Sequence, residues 1–189
     1  MMTSESIILD GFHGTSVVRA EAILAKGYHY VSSAEDWLGS GVYFFLDGFA
    51  CAFTNASEWA LSKYAEEQCV VVKSRIECQA SKVLDLTTCT GLKEYNDARV
   101  KVLKKFGSDL FFRRDLSIKK RRDIRVDDKI IIDLVLRELS FDVLIHNVYI
   151  KNRQQRSLAL ESSYPNATVC SVSNLECIVG CEVMNVSVC

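Results

Sequence analysis

The chain has 189 residues, of which 49% are hydrophobic, 25% are charged and one is proline. This composition, with a net charge of −1, is too apolar and too close to neutral for a disordered chain. No stretch approaches the roughly 20 consecutive apolar residues of a membrane span, and the first ten residues lack the basic region of a secretory signal. We therefore expect a single cytoplasmic domain over residues 1–189, with no membrane association.

The cysteines do not have the spacing of a metal site. Eight are spread along the chain, and no C-x-x-C pair occurs. Structural zinc sites need such pairs because one turn must present two thiolates to a tetrahedral ion. Most of the cysteines stand in apolar runs, as at 69–72 and 169–172, where a free thiol packs as a small hydrophobe. We expect buried free thiols and no metal.

Positive charge is concentrated in the middle of the chain. Between residues 93 and 125, twelve Lys and Arg stand against five Asp and Glu. We interpret this stretch as a basic insertion or face of the domain. It fits the phosphate backbone of RNA or DNA, an acidic partner such as an antitoxin or inhibitor protein, or a solvated surface. The residues proposed for nucleic-acid contact are Arg113, Arg114, Lys119, Lys120, Arg121 and Arg122.

The first half of the chain alternates short apolar runs with amphipathic stretches. A buried strand over 7–9 ends in a glycine-bearing turn over 11–15, and a helix over 17–26 stops at Gly27. The remaining elements of this half are a strand over 41–46, a helix over 55–67 capped by Asn55 or Ser57, and strands over 69–77 and 83–86.

The second half opens with an amphipathic helix over 93–106. A second helix is predicted over 129–139, although its isoleucine run leaves a strand open. Four strands follow, over 141–150, 157–161, 170–172 and 177–184. Strands and helices do not alternate strictly, so the predicted fold class is α+β.

The most informative residues form an ordered series near the N-terminus. His13-Gly14-Thr15 is followed by a helix, then by Trp-Leu-Gly-Ser-Gly-Val-Tyr-Phe-Phe over 37–45, then by a helix that contains Trp59. This series resembles the ADP-ribosyltransferase superfamily of the poly-ADP-ribose polymerase and diphtheria-toxin type, with its His-Tyr-Glu signature. Bacterial toxin and phage-defence enzymes carry a similar run. The resemblance implies a split mixed or antiparallel sheet with flanking helices, NAD as co-substrate and no metal.

Each residue of the series suits cleavage of the nicotinamide bond of NAD, which generates an oxocarbenium-like ribose. The resemblance implies that Gly14 clamps the carboxamide through its backbone, that His13 hydrogen-bonds the adenosine ribose, and that Tyr43 stacks on the nicotinamide ring. Thr15 and Ser16 are polar neighbours of the dinucleotide. Each of these residues also has a simpler role, since His13 fits a capping or core histidine and Tyr43 fits the core.

Trp59 occupies the position of a second ring-stacking aromatic in the family. Its spacing on the predicted helix favours a core position over a ligand contact. The sequence leaves both roles open.

The third member of the signature, a glutamate near the C-terminus, is the least clearly marked. In the family it orients the ribose hydroxyls and supports the cationic transition state. Glu161 is our candidate, and Glu176 and Glu182 are its alternatives. The chain departs here from the Phe-x-Glu-Gly pattern frequent in the family, and any of the three also fits a solvated surface carboxylate.

The predicted function is mono-ADP-ribosyl transfer from NAD to a macromolecule, with nucleic acid favoured over protein, by an intracellular toxin or anti-phage effector. One alternative is an RNA 2'-phosphotransferase-like enzyme, which also uses NAD but carries an early Arg-His pair that this chain lacks. The other is a catalytically inactive domain of the same fold that only binds a partner or nucleotide.

Overall fold

The computed structural model describes residues 5–30, 32–33, 36–111, 113, 121–160 and 162–186, with the side chains of residues 121–123 excepted. The strands of this part of the chain are β1 (Ser6–Ser16), β2 (Val42–Leu46), β3 (Cys69–Gln79), β4 (Val83–Asp85), β5 (Val143–Val148), β6 (Ala167–Val172) and β7 (Ile178–Asn185). The helices are α1 (Val17–Lys26), α2 (Ala52–Lys63), α3 (Cys89–Phe106), α4 (Arg121–Leu139) and α5 (Arg153–Ser157).

The strands form one mixed sheet in the order β4-β5-β6-β2-β1-β3-β7. The pair β4 and β5 is parallel, and every other neighbouring pair is antiparallel. The predicted α+β class is therefore confirmed. Within the described residues, β1 pairs with β2 at a single position, Phe12 opposite Phe45, whereas β1 pairs with β3 from Ser6 to Ser16. Among the neighbouring strands, β1 and β2 thus share the fewest described paired positions.

Side chains of the central strands alternate between two hydrophobic clusters, one on each face of the sheet. Phe45 and Val71 belong to the cluster covered by α2, α3 and α4, whereas Phe44 and Val72 belong to the cluster covered by α1. This is the period-2 pattern of a sheet buried on both faces. Phe44, Val71 and Val72 are fully buried.

The predicted turn over 11–15 is wrong, because β1 continues without a break to Ser16. Pairing with β3 along the whole strand satisfies the backbone, and Gly11 is accommodated by packing rather than by a turn. A Cβ on Gly11 would lie 2.8 Å from the Phe44 Cβ and from the Ile76 Cδ1. The glycine therefore leaves room for these two side chains. Because β1 extends to Ser16, His13 and Gly14 lie on a strand instead of in a turn.

The start of α2 also differs from the prediction. The helix begins at Ala52, where the backbone N–H donates to Asp47 Oδ1 at 2.8 Å, so the predicted caps Asn55 and Ser57 lie inside it. Its fully buried face consists of alanines spaced four residues apart: Ala52, Ala56 and Ala60. These small side chains let α2 approach β1 closely.

The strand predicted over 157–161 is wrong as well. Residues 153–157 form α5, which begins with a capping box in which Asn152 Oδ1 accepts from Gln155 N–H at 2.8 Å and Gln155 Oε1 accepts from Asn152 N–H at 3.1 Å. The reciprocal pair satisfies two backbone donors that a helix start leaves open. The helix reading of 129–139 is confirmed, since it belongs to α4.

The described cysteines are free thiols with unequal burial. Cys69, Cys170 and Cys177 are buried, as predicted, but Cys51 and Cys89, at the starts of α2 and α3, are exposed. No helix in the described part of the chain is long and apolar enough to cross a membrane.

The tight packing at Gly11 predicts a specific loss of stability. Gly11→Ala places a methyl group against Phe44 and Ile76, and overpacking of this kind costs about 1–3 kcal/mol. Gly180→Ala is the matched control, because nothing lies within 4 Å of its Cβ position; we expect a change within about 0.5 kcal/mol. Urea unfolding measures both free energies, and equal values for the two variants would contradict the packing described for β1.

Candidate functional site

A cavity of about 780 Å³ opens where β1 and β2 diverge. Its wall includes the C-terminal end of β1, most of β2, one side of α1, the C-terminal end of α2, the segment around residues 28–37 and one residue of α5. The volume falls in the range of small-molecule and cofactor sites. The cavity brings together five residues that the sequence predicted for the site: His13, Gly14, Thr15, Tyr43 and Trp59.

His13 joins the two strands that diverge. Its Nδ1 lies 2.8 Å from the backbone oxygen of Tyr43. Because a carbonyl oxygen only accepts, Nδ1 carries the proton and donates. The ring also packs edge to face against Tyr28 and Phe44, with centroid distances of 5.6 and 5.9 Å. The hydrogen bond sets the tautomer of His13, and the hydrogen bond and the ring contacts together hold its imidazole in place.

Burial lowers the pKa of His13 below its ordinary value of 6.5, and the positive charge of Lys63 lowers it further, while the hydrogen bond to Tyr43 acts in the opposite direction. The imidazole is therefore neutral at neutral pH. With Nδ1 as the donor, Nε2 holds a lone pair. His13 can accept a hydrogen bond there from a ligand hydroxyl, as a ribose would supply.

Gly14 is required by the close approach of α2. A Cβ at this position would overlap the backbone oxygen of Ala56 and lie 3.2 Å from the Ala60 Cβ. Gly14 and Thr15 both line the cavity, at a part of β1 that has no paired partner on its β2 side among the described residues. Backbone polar groups without a strand partner are available to a ligand. This geometry suits a carboxamide clamp.

Ser16, at the end of β1, lies outside the described lining of the cavity. Its hydroxyl accepts from the Arg19 guanidinium at 3.1 Å. Its contact therefore orders Arg19, which does line the cavity. A direct contact between Ser16 and a dinucleotide stays a prediction.

Tyr43 lines the cavity, and its hydroxyl is bound to the loop before β2. The hydroxyl donates to Gly39 O and accepts from Leu38 N–H, each at 2.8 Å. Burial raises the pKa of Tyr43, so the phenol stays protonated. Because the Tyr43 hydroxyl is already hydrogen-bonded to the loop, Tyr43 can act on a ligand through ring stacking rather than proton transfer.

Trp59 lies between the core and the cavity, and its stacking on a ligand ring stays a prediction. The residue is partly buried and packs against the core cluster under α2, and it also lines the cavity. The Lys63 Nζ lies 5.7 Å and the Arg156 Cζ 5.8 Å from its ring centroid. Two cations from different helices thus meet at one aromatic ring.

Asp133 of α4 hydrogen-bonds to the loop before β2. Its Oδ1 accepts from Ser40 N–H at 2.6 Å, and its Oδ2 accepts from the Ser40 hydroxyl at 3.0 Å and from Lys129 Nζ at 2.7 Å. Lys129 Nζ also donates to Ser40 Oγ at 2.9 Å. Gly39, with φ +78°, turns the loop over α4. We call Ser40, Lys129 and Asp133 the α4 clamp.

The structure does not describe the carboxylate predicted for catalysis, because Glu161 lies outside the described residues. Its alternatives do not line the cavity: Glu176 lies beside a small separate depression, and Glu182 is 3.8 Å from Lys73. Among the described lining residues, the single carboxylate is Asp36, whose Oδ2 accepts from Ser33 N–H at 2.7 Å.

Most of the predicted nucleic-acid contacts are also undescribed. Arg114, Lys119 and Lys120 lie outside the described residues, and Arg121 and Arg122 begin α4 with undescribed side chains. Arg113 is described: its Nε donates to Asp127 Oδ1 at 2.6 Å, and both side chains are mostly buried. Arg113 therefore ties its segment to α4, and nucleic-acid binding by residues 93–125 stays a prediction.

Sequence reasoning missed several residues of the site. Lys63 was detectable, since it stands four residues after Trp59 on the same helix and so shares its face. Tyr28, Arg156 and Asp133 reach the site from elements distant in sequence, and no local pattern marks them.

In the described part of the chain, no group of three or more His, Cys, Asp or Glu is arranged to hold a metal ion. No protein family, curated protein or solved structure matches the chain.

The α4 clamp predicts a strong effect of Asp133→Ala. The variant leaves Lys129, whose side chain is 12% exposed, without its carboxylate and releases the Ser40 backbone. We expect a loss of about 2–3 kcal/mol in the free energy of unfolding. Glu94→Ala, which removes an exposed carboxylate of α3, should change it by at most about 0.5 kcal/mol. Equal effects in chemical denaturation would refute the clamp.

The lowered pKa of His13 predicts a pH dependence of stability. The unfolded chain binds the proton with a pKa near 6.5 and the folded chain binds it more weakly, so acid favours unfolding. His13 therefore contributes no penalty above about pH 6.5 and destabilises the protein progressively below it. Wild type should lose more stability between pH 7.5 and 5 than His13→Gln, which cannot titrate. Parallel losses in both proteins would show that His13 has an ordinary pKa.

Proposed function

We propose that this chain is an NAD-dependent mono-ADP-ribosyltransferase of the His-Tyr-Glu type, with the split sheet of that superfamily. The observation that carries the proposal is the hydrogen bond from His13 Nδ1 to the Tyr43 carbonyl oxygen. Both residues line a cavity of the size of a cofactor site. The hydrogen bond brings the two signature residues together at the place where β1 and β2 separate. No metal is needed for the reaction.

The lining of the cavity suits the parts of NAD. A neutral His13 with a free Nε2 lone pair accepts from a ribose hydroxyl. Gly14 lines the cavity where β1 has no described partner on its β2 side, so its backbone can pair with the carboxamide, which needs one donor and one acceptor. The Tyr43 ring, held by its hydroxyl, offers a stacking surface to nicotinamide.

The chemistry is a substitution at the anomeric carbon of the nicotinamide ribose. The bond from this carbon to the nicotinamide nitrogen breaks, and its electron pair leaves with neutral nicotinamide. A nucleophile of the acceptor forms the new bond to the same carbon and releases one proton. A carboxylate beside the ribose stabilises the positive charge that develops between the two events. We assign that role to Glu161.

A second candidate function is a nucleotide-binding module without catalysis. One observation favours it: Asp36, the single carboxylate in the described lining, is already engaged with the Ser33 backbone. The RNA 2'-phosphotransferase alternative has less support, because the chain lacks the early Arg-His pair of that group.

The resemblance to bacterial toxin and phage-defence enzymes supports an effector that acts inside the cell. In this proposal the acceptor is a macromolecule, and an antitoxin or other inhibitor protein would control the activity. Nucleic acid is favoured over protein as the acceptor because of the basic charge between residues 93 and 125.

Radiolabelled NAD tests the proposal directly. Incubation with separate pools of protein, RNA and DNA should label one pool and release nicotinamide. Glu161→Gln should lower nicotinamide release about a hundredfold, which is typical for removal of a group that stabilises transition-state charge. Glu182→Gln is the matched control, since this carboxylate lies on β7 outside the described cavity lining.

The outcomes separate the candidate functions. No labelled pool and no nicotinamide release, in a protein that still binds NAD, would support the binding module and refute the transferase. Wild-type turnover by Glu161→Gln would leave the fold assignment standing but remove Glu161 from the mechanism.

A further inference from the structure

Two cations and an aromatic ring meet at one side of the cavity. Trp59 and Lys63 lie one turn apart on α2, and Arg156 approaches from α5, so that both charged groups lie within 6 Å of the Trp59 ring centroid. All three residues line the cavity. Their convergence is a tertiary feature, because α2 and α5 are about ninety residues apart in the chain.

The charge of these two cations is not neutralised within the described protein. No ion pair joins Lys63 or Arg156 to a described carboxylate, whereas Arg19, another cation of the lining, pairs with Glu67 at 3.0 Å. Asp36 is the single carboxylate of the described lining. Counting the described residues alone, this side of the cavity carries more positive than negative charge.

An anion bound here would meet complementary donors. The planar guanidinium of Arg156 offers paired N–H groups that match two phosphate oxygens, and the ammonium of Lys63 supplies a compact charge. The Trp59 ring adds a surface on which a nucleobase or another flat group can stack. Phosphate beside an aromatic ring is the combination found in nucleotides.

Lys63 lies in the same cavity as His13. The positive charge of Lys63 is one of the causes that lower the pKa of His13. One ligand in this cavity could therefore place a phosphate at Lys63 and a hydroxyl at His13. A phosphorylated ribose has both groups on one small unit.

We propose that Lys63 and Arg156, together with the Trp59 ring, form a phosphate subsite for a nucleotide ligand. The phosphate has two sources, the pyrophosphate of a dinucleotide or the backbone of a single-stranded nucleic acid acceptor. The subsite rests on the proposed function only for the identity of its ligand, because binding does not require turnover. A protein that binds nucleotides but releases no nicotinamide would keep the subsite and lose the transferase.

Calorimetric titration with ADP and with adenosine tests the subsite, because the two ligands differ only in phosphate. Wild type should bind ADP at least about tenfold more tightly than adenosine, as expected for charge-assisted hydrogen bonds to phosphate. The double variant Lys63→Gln/Arg156→Gln should lose about tenfold or more in ADP affinity, with adenosine affinity unchanged. Arg153→Gln is the matched control, since it removes an exposed arginine of the same helix α5 outside the described cavity lining.

Two further titrations identify the source of the phosphate. Loss of NAD affinity in the double variant assigns the subsite to the dinucleotide. Loss of affinity for a single-stranded oligonucleotide of about ten nucleotides, with NAD affinity retained, assigns it to the acceptor strand. Losses for both ligands assign it to both.

Three results would overturn the proposal. These are equal affinities of wild type for ADP and adenosine, a double variant that binds ADP, NAD and the oligonucleotide as wild type does, and no binding of any of these ligands to wild type. Thermal unfolding of both variants, expected to match wild type because Lys63 and Arg156 are exposed, separates lost binding from lost structure.

Discussion

The hydrogen bond between His13 Nδ1 and the Tyr43 carbonyl oxygen is the contact on which the site depends. It joins β1 and β2 just beyond their single paired position, so it marks where the sheet stops being continuous and the cavity begins. The same bond fixes the imidazole tautomer, and burial among aromatic rings keeps the ring neutral. The connection between β1 and β2, the start of the cavity and the tautomer of His13 thus depend on one interaction.

Tyr43 extends this connection to the other side of the molecule. Its carbonyl accepts from His13, its hydroxyl holds the loop at Leu38 and Gly39, and the next residue of that loop, Ser40, is bound by Asp133 of α4. Hydrogen bonds joined through Tyr43 and residues 38–40 therefore connect β1 to α4. The cavity wall is ordered by contacts made largely behind it, which is how binding sites keep their geometry before a ligand arrives.

The sequence predicted those elements whose signals are local. Helix α1 with its stop at Gly27, strand β2 and the α+β class follow from periodicity and turn residues. The turn predicted at Gly11 and the strand predicted after residue 156 failed, because pairing of β1 with β3 and the capping box of Asn152 outweighed the local pattern. The grouping of His13, Gly14 and Tyr43 was predictable from motif order. The contributions of Asp133 and Arg156 were not, since they arise from long-range packing.

The central claim is that the cavity holds NAD with its nicotinamide between Gly14 and Tyr43. A crystal structure with a non-hydrolysable NAD analogue tests it most directly. We expect the carboxamide to be hydrogen-bonded to the Gly14 backbone, the nicotinamide ring to stack on Tyr43 and a ribose hydroxyl to donate to His13 Nε2. A well-ordered analogue bound elsewhere on the protein, or bound in this cavity without contact to these three residues, would contradict it.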